Sequence, residues 1–228
     1  HDIQLISRAF SKSLYSYIGS NKDIPAPDVN TNSTIMDWMT DEYNSISGNH
    51  ALTCNMKSIF TGKSINFGGS YLREQATGRG VALMIKHWAD DNNYTLEGKS
   101  FIIQGFGNVG YHTSELLTKF GMNLIAVGDH TGYIYNKEGF NVFKLKEHIH
   151  NTKNLSSYPG DLLSKEEFFK LHTDIIIPSA LELQITEDLA QELNCSLLVE
   201  AANGPIDINS ENILNERNIP IIPDILAN

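Results

Sequence analysis

The sequence predicts an α/β protein, a doubly wound parallel sheet preceded by a helical segment, and three observations predict it. Beyond residue 100, short apolar runs alternate with amphipathic stretches of helical period, the pattern of strands joined by crossover helices. The runs are apolar at odd and even positions alike, as in strands covered by helices on both faces. The first run leads straight into Gly105-Phe106-Gly107-Asn108-Val109-Gly110, a glycine motif in a strand–turn–helix setting.

The elements follow in order. Residues 3–18 place Ile3, Ile6, Phe10, Leu14 and Tyr17 at three- and four-residue spacings, which predicts an amphipathic helix stopped by Gly19. In DIPAPDVNTN, two prolines force Ile24 and Ala26 into extended conformations, so an ordered turn follows. A second helix is expected from about Ser33 to Gly48. Residues 61–80 are dense in glycine, which marks close backbone approach, and a long helix VALMIKHWADDN comes next. Strands are expected at 101–105, 123–129, 174–179, 196–201 and 219–224, with helices at about 108–120, 140–150, 164–172, 186–194 and 209–217. Domains are drawn at 1–68, a partial substrate and oligomerisation domain, and 69–228, the sheet domain.

Composition narrows the function. The 228 residues carry a net charge of −10, which disfavours phosphate backbones and anionic lipid, so neither nucleic acid nor membrane is expected as a partner. No apolar run approaches the roughly 18 residues of a membrane span. Two cysteines, Cys54 and Cys195, are too few for a disulfide framework or a thiolate zinc site and read as packing residues. The eight histidines form no HExxH pattern, and His148 and His150 are too close to share a helix face, so no metal is expected. No basic stretch followed by an apolar one is visible, and the cytoplasm is the expected compartment.

The glycine motif carries the chemistry. Gly105 permits the tight turn, Gly107 lets a pyrophosphate approach the backbone, and Gly110 lets helix and strand pack closely, a Rossmann-like arrangement with free N–H groups at the helix start. The next strand ends in Asp129, nineteen residues past Gly110, where a carboxylate can accept hydrogen bonds from adenosine ribose hydroxyls. A carboxylate there repels a 2′-phosphate, and His130, Thr131 and Gly132 include no Arg or Lys. NAD is therefore expected over NADP.

Several segments together resemble the glutamate, leucine, phenylalanine and valine dehydrogenase family, most closely its hexameric glutamate dehydrogenases. They are PAPDVNT (25–31), MDWMTDEY (36–43), TGK (61–63), GGS with ATGRGV (68–81), QGFGNVG (104–110), PSALELQIT (178–186), VEAANGP (199–205) and PDILAN (223–228). The resemblance implies NAD-dependent oxidative deamination of an L-amino acid, with glutamate going to 2-oxoglutarate and ammonia. It implies that Asp28 is the catalytic Asp exchanging protons with the substrate amine. Thr77 matches a threonine near the nicotinamide. Asn108 matches a dinucleotide contact in the glycine turn, whose Phe106 and Val109 are expected to bind cofactor with it, and Ser179, Ala180 and Asn203 match the nicotinamide ribose pocket. Arg73 and Asn228 match positions near the bound amino acid, where an arginine can pair with a carboxylate and an amide can orient it. It also implies a hinged cleft with the glycine-rich segment 68–80 on the hinge side, and a homohexamer built largely from the N-terminal domain.

Two departures modify these expectations. Leu72 stands where the family has a glycine before the arginine of its GGS segment, which adds a side chain beside the expected substrate position. The family's lysine-rich substrate segment with its catalytic lysine should precede PAPDVNT, and the roughly 24 residues there do not match it; Lys22 reads as solvent-exposed. The chain also stops at PDILAN, where the family continues. These 228 residues are therefore expected to bind NAD and to turn over glutamate negligibly by themselves. The alternative reading is a non-catalytic dinucleotide-binding relative.

Overall fold

A computed structural model describes residues 1–28, 30–47 and 58–228. By contact the chain divides into two compact units, His1–Glu74 and Gln75–Asn228. Within the first unit the Gly69 N–H donates to the Ser64 carbonyl at 2.9 Å.

The first unit is helical. Helix α1 spans Asp2–Ser13 and α2 spans Ser33–Ser47. The α1 helix ends six residues before the expected stop at Gly19, because Ile18 pairs with Asp23 in an isolated bridge and closes a tight turn. Small residues mark the helix contact: Ser7 and Ser11 are buried, and the Ser11 hydroxyl donates to the Met39 carbonyl at 2.8 Å. Arg8 clamps the pair through Asp41 at 2.6 Å and Glu42 at 3.3 Å. Ile18, Met36, Ile59 and Phe60 form a small core beneath. With the serines turned inward, Ile3, Ile6 and Phe10 are exposed. Cys54 lies outside the described residues.

The second unit begins with α3 (Ala76–Asp91) and continues β1 (Ser100–Gln104), α4 (Asn108–Lys119), β2 (Asn123–Asp129), β3 (Gly132–Tyr135), α5 (Val142–Thr152) and β4 (Asp161–Leu163). It ends with α6 (Lys165–Phe169), β5 (Ile175–Pro178), α7 (Glu187–Glu192), β6 (Leu197–Val199), α8 (Ile208–Glu216), β7 (Ile221–Ile222) and α9 (Asp224–Ala227). The seven strands lie in the order β4-β3-β2-β1-β5-β6-β7. All five expected strands are present and pair in parallel.

The parallel sheet is extended at one edge by two strands that the sequence reading did not include. There, β3 folds back antiparallel on β2, and β4 antiparallel on β3. The physical reason is the two-residue loop His130-Thr131, which reverses the chain and leaves no room for a crossover helix.

Alternation along each central strand divides the core between two faces. Phe101, Ile103, Ile175, Ile177, Leu197 and Val199 meet Val81, Ile85, Leu117 and Leu145 from α3, α4 and α5. Their neighbours Ile102, Ile176 and Leu198 face Phe168, Phe169, Leu189 and Leu214 from α6, α7 and α8. This double cover explains why the strands read as unbroken apolar runs. The glycine-dense helix start also has a packing cause. A Cβ on Gly78 would stand 2.7 Å from the Val109 carbonyl oxygen, so α3 lies directly on α4. Among the described residues no helix is long and apolar enough to cross a membrane.

Candidate functional site

The chain leaves β1 through Gln104 and turns sharply into α4. Gly105 sits at φ +95°, a left-handed conformation that favours glycine, and its N–H donates to the Gly128 carbonyl at 2.6 Å. Gly110 supports the turn from inside the first helical turn, since a Cβ there would stand 1.9 Å from the Gly105 carbonyl oxygen. Gly107 is different. It has an ordinary φ of −75°, and a Cβ there would meet nothing within 4 Å, so the backbone at the start of α4 faces open space. No side chain caps α4. Uncapped N–H groups at a helix start, with the helix dipole behind them, are suited to an anion.

Asp129 ends β2 beside this turn. Its Oδ1 accepts from the Thr131 N–H and the Thr131 hydroxyl, both at 2.6 Å. Gly105, Phe106, Gly107, Asp129, Ser179 and Ala180 line a cavity of about 530 Å3, completed by Gln104, His130, Tyr133, Ile149, Leu181 and Gln184. The cavity sits at the carboxyl ends of the parallel strands, the usual ligand position in open α/β sheets. Phe106 is buried and meets Tyr111 edge to face at 6.2 Å, while Asn108 and Val109 form the first turn of α4.

The remaining residues singled out from the sequence fall around this framework. Thr77 is half-buried in the first turn of α3. The Ser179 hydroxyl reaches the carbonyls of Gln104 and Gly105, each at 2.9 Å, so it fixes the glycine turn. Asn203 is exposed in the turn after β6, and Asn228 is exposed after α9. In the first unit, Asp28 is exposed, with the Thr31 N–H donating to its carbonyl at 2.9 Å, and Arg73 is exposed.

Sequence reasoning missed two groups. Glu200 Oε2 accepts from the Asp224 N–H at 2.9 Å, and Asp224 Oδ2 accepts from the Gly204 N–H at 2.9 Å. This pair ties the turn that carries Asn203 to the short helix that precedes Asn228. Burial pushes the Glu200 carboxyl above the usual carboxylate range, despite the Asp224 N–H. The available signal was an acid inside the apolar run LLVEAA. The second group is Lys63, buried in the first unit with its ammonium donating to the Phe60 carbonyl. Burial lowers its pKa, against the attraction of Asp37. No three His, Cys, Asp or Glu side chains gather as a metal site among the described residues.

Comparison with known proteins decides the family. The model of the glutamate/leucine/phenylalanine/valine dehydrogenase family matches residues 68–228. The chain belongs to this family. The Glu/Leu/Phe/Val dehydrogenase dimerisation-domain model matches residues 1–45. Among curated members, the chain is 37% identical to the NAD-specific glutamate dehydrogenase of Staphylococcus aureus, over all of this chain and 54% of that protein. It is 38% identical to the NADP-specific glutamate dehydrogenase of Saccharolobus shibatae, over all of this chain and 53% of that one. The hetero-hexameric glutamate dehydrogenase of Thermus thermophilus, in its Leu-bound form, superposes with a TM-score of 0.89 at 27% identity, covering 98% of this chain and 52% of the other. The chain thus spans about half the length of the curated dehydrogenases it matches.

Proposed function

We propose that this chain is the cofactor-binding part of an NAD-dependent amino acid dehydrogenase, with L-glutamate as substrate and 2-oxoglutarate and ammonia as products. The observation that carries the reading is the open space above Gly107, at the uncapped start of α4, in a cavity that Asp129 also lines. A dinucleotide fits this donor set. The first N–H groups of α4 hold the pyrophosphate oxygens, and Asp129 accepts from the adenosine ribose hydroxyls. Thr77, Ser179, Ala180 and Asn203 serve the nicotinamide side, following the family resemblance.

When bound, NAD supplies the acceptor for the hydride that leaves the amino acid α-carbon. Arg73 pairs with the substrate carboxylate, Asn228 orients it, and Asp28 takes and returns the proton of the substrate amine. The protein's part is orientation and charge. These 228 residues hold no match to the family's lysine-bearing segment, and loss of a positioned acid–base group costs about 10²- to 10⁴-fold in rate. The chain alone therefore turns over glutamate negligibly. Association with further copies is part of the proposal: Ile3, Ile6 and Phe10 stand exposed on α1, within the residues matched by the dimerisation-domain model. The cytoplasm is the proposed compartment.

A calorimetric titration with NADH, and NADPH as comparison ligand, tests the reading. Saturable binding that prefers NADH supports it. Equal binding of both removes the preference for NAD, and binding of neither overturns the cofactor role. Glutamate-dependent NADH formation at ordinary enzyme rates would contradict the proposed inactivity of the isolated chain.

A further inference from the structure

We propose that Thr131 is a positioning residue that sets the dinucleotide preference of this site by locking the Asp129 carboxylate. The inference rests on the reading of the cavity as an NAD site. It starts from the two-residue loop between β2 and β3, in which Asp129 pairs with Gly132 across His130 and Thr131. Asp129 Oδ1 receives two donors from one residue, the backbone N–H and the hydroxyl of Thr131, both at 2.6 Å. The Leu155 N–H donates to the same hydroxyl oxygen at 2.8 Å.

That third bond gives the chain of donors a fixed direction. An N–H can only donate, so Leu155 occupies a lone pair of Thr131 Oγ1 and leaves the single hydroxyl proton for Asp129. Leu155 is fully buried, in a short helical turn packed against the core. The carboxylate is thereby anchored to the interior of the sheet domain through Thr131. Oδ1 is committed, and Oδ2 has no hydrogen-bond partner among the described residues.

A held carboxylate discriminates better than a mobile one. Ribose hydroxyls can donate to Oδ2 without first ordering the side chain, so none of their binding energy is spent on fixing a rotamer. A 2′-phosphate meets a negative charge that cannot swing away, and no Lys or Arg among the described cavity-lining residues offsets it. Without the Thr131 hydroxyl, the carboxylate keeps the Thr131 N–H but loses its tie to Leu155, and its hold on one rotamer weakens. NADH then loses part of a preorganised acceptor, and NADPH meets a weaker repulsion.

The test compares Kd values for NADH and NADPH by calorimetry in the 228-residue chain, for wild type, Thr131→Val and Thr131→Ser. Valine keeps the shape of threonine and removes the hydroxyl. The ratio of the NADPH Kd to the NADH Kd should fall about tenfold in Thr131→Val, the scale of one hydrogen bond to a charged group. It should return close to the wild-type ratio in Thr131→Ser. Both ligands sample the same folded fraction, so a loss of stability cancels from the ratio. In an Asp129→Ser background, adding Thr131→Val should leave the ratio unchanged, because Thr131 acts through the carboxylate. An unchanged ratio in the single Thr131→Val variant overturns the lock while leaving the NAD site standing. Wild-type chain that binds neither ligand removes the site reading and the lock together, and equal binding of both overturns the lock by removing the preference it sets.

Discussion

A Cβ added at Gly110 would stand 1.9 Å from the carbonyl oxygen of Gly105. The two glycines therefore form one contact, in which the first turn of α4 lies directly on the turn that leads into it. Gly110→Ala must move backbone. The expected cost is about 3 kcal/mol, which for a chain of this size lowers Tm by about 6 to 12 °C. NADH binding should be lost with it. Thermal unfolding with and without NADH checks both.

Gly107→Asp should do the opposite to stability. The added side chain enters open space, and aspartate is a preferred residue at the start of a helix, so folding gains a few tenths of a kcal/mol, about the Gly-to-Asp difference at that position. The same carboxylate would oppose a pyrophosphate. A melt at or above the wild-type Tm, together with NADH affinity weakened at least about tenfold, is the expected pair of results. Undiminished NADH affinity would exclude a phosphate at this helix start.

Asp174 gives the sheet domain a defined acid sensitivity. Its carboxylate accepts from the Ser100 N–H at 2.8 Å, the Ser100 hydroxyl at 2.9 Å and the Tyr94 hydroxyl at 2.8 Å, with Lys99 at 3.1 Å. Burial pushes its pKa up, but these donors outweigh burial and hold it below the ordinary 3.8. A folded-state pKa below the unfolded one stabilises the fold fully above 3.8, and that stability is lost as pH falls through the lower folded value. Asp174→Asn should cost about 2 kcal/mol at neutral pH. Denaturant unfolding of both proteins should show a constant gap from pH 7 to pH 5 that narrows only in stronger acid.

Cys195 should resist thiol reagents. Burial pushes its pKa up to about 12, which leaves almost no thiolate at pH 8. Cys195 is half-buried, so in a Cys54→Ser variant a chromogenic disulfide reagent should label it slowly in the native protein and much faster once denaturant is added. Equal rates would contradict the suppressed thiolate.

The five parallel strands were legible because Ile102, Ile103, Ile176 and Leu198 sit in runs with no polar interruption, which only double cover allows. The antiparallel edge was not. Tyr133 and Tyr135 are half-buried beside a fully buried Ile134, and Leu162 is 66% exposed, so neither GYIY nor DLL carries a core-strand pattern. At the candidate site, the glycine turn and Asp129 could be located because their requirements are local: a bend, a close approach, and a carboxylate at a strand end. The Ser179 hydroxyl and the Glu200–Asp224 bond could not. Their partners lie 75 and 24 residues away, and only the folded sheet brings them together.

The two outermost strands have a consequence for crowded conditions. At one margin β4 offers three residues, and at the other β7 offers two, flanked by Pro220 and Pro223. A neighbouring chain that tried to extend the ladder would find a template too brief to register on, and on the β7 side one interrupted by residues without an N–H. Among the described residues the sheet has seven strands, and neither of its margins invites an eighth from a neighbouring chain. At these two margins of the sheet, contact with a neighbouring chain falls to side chains, leaving the backbone out of it.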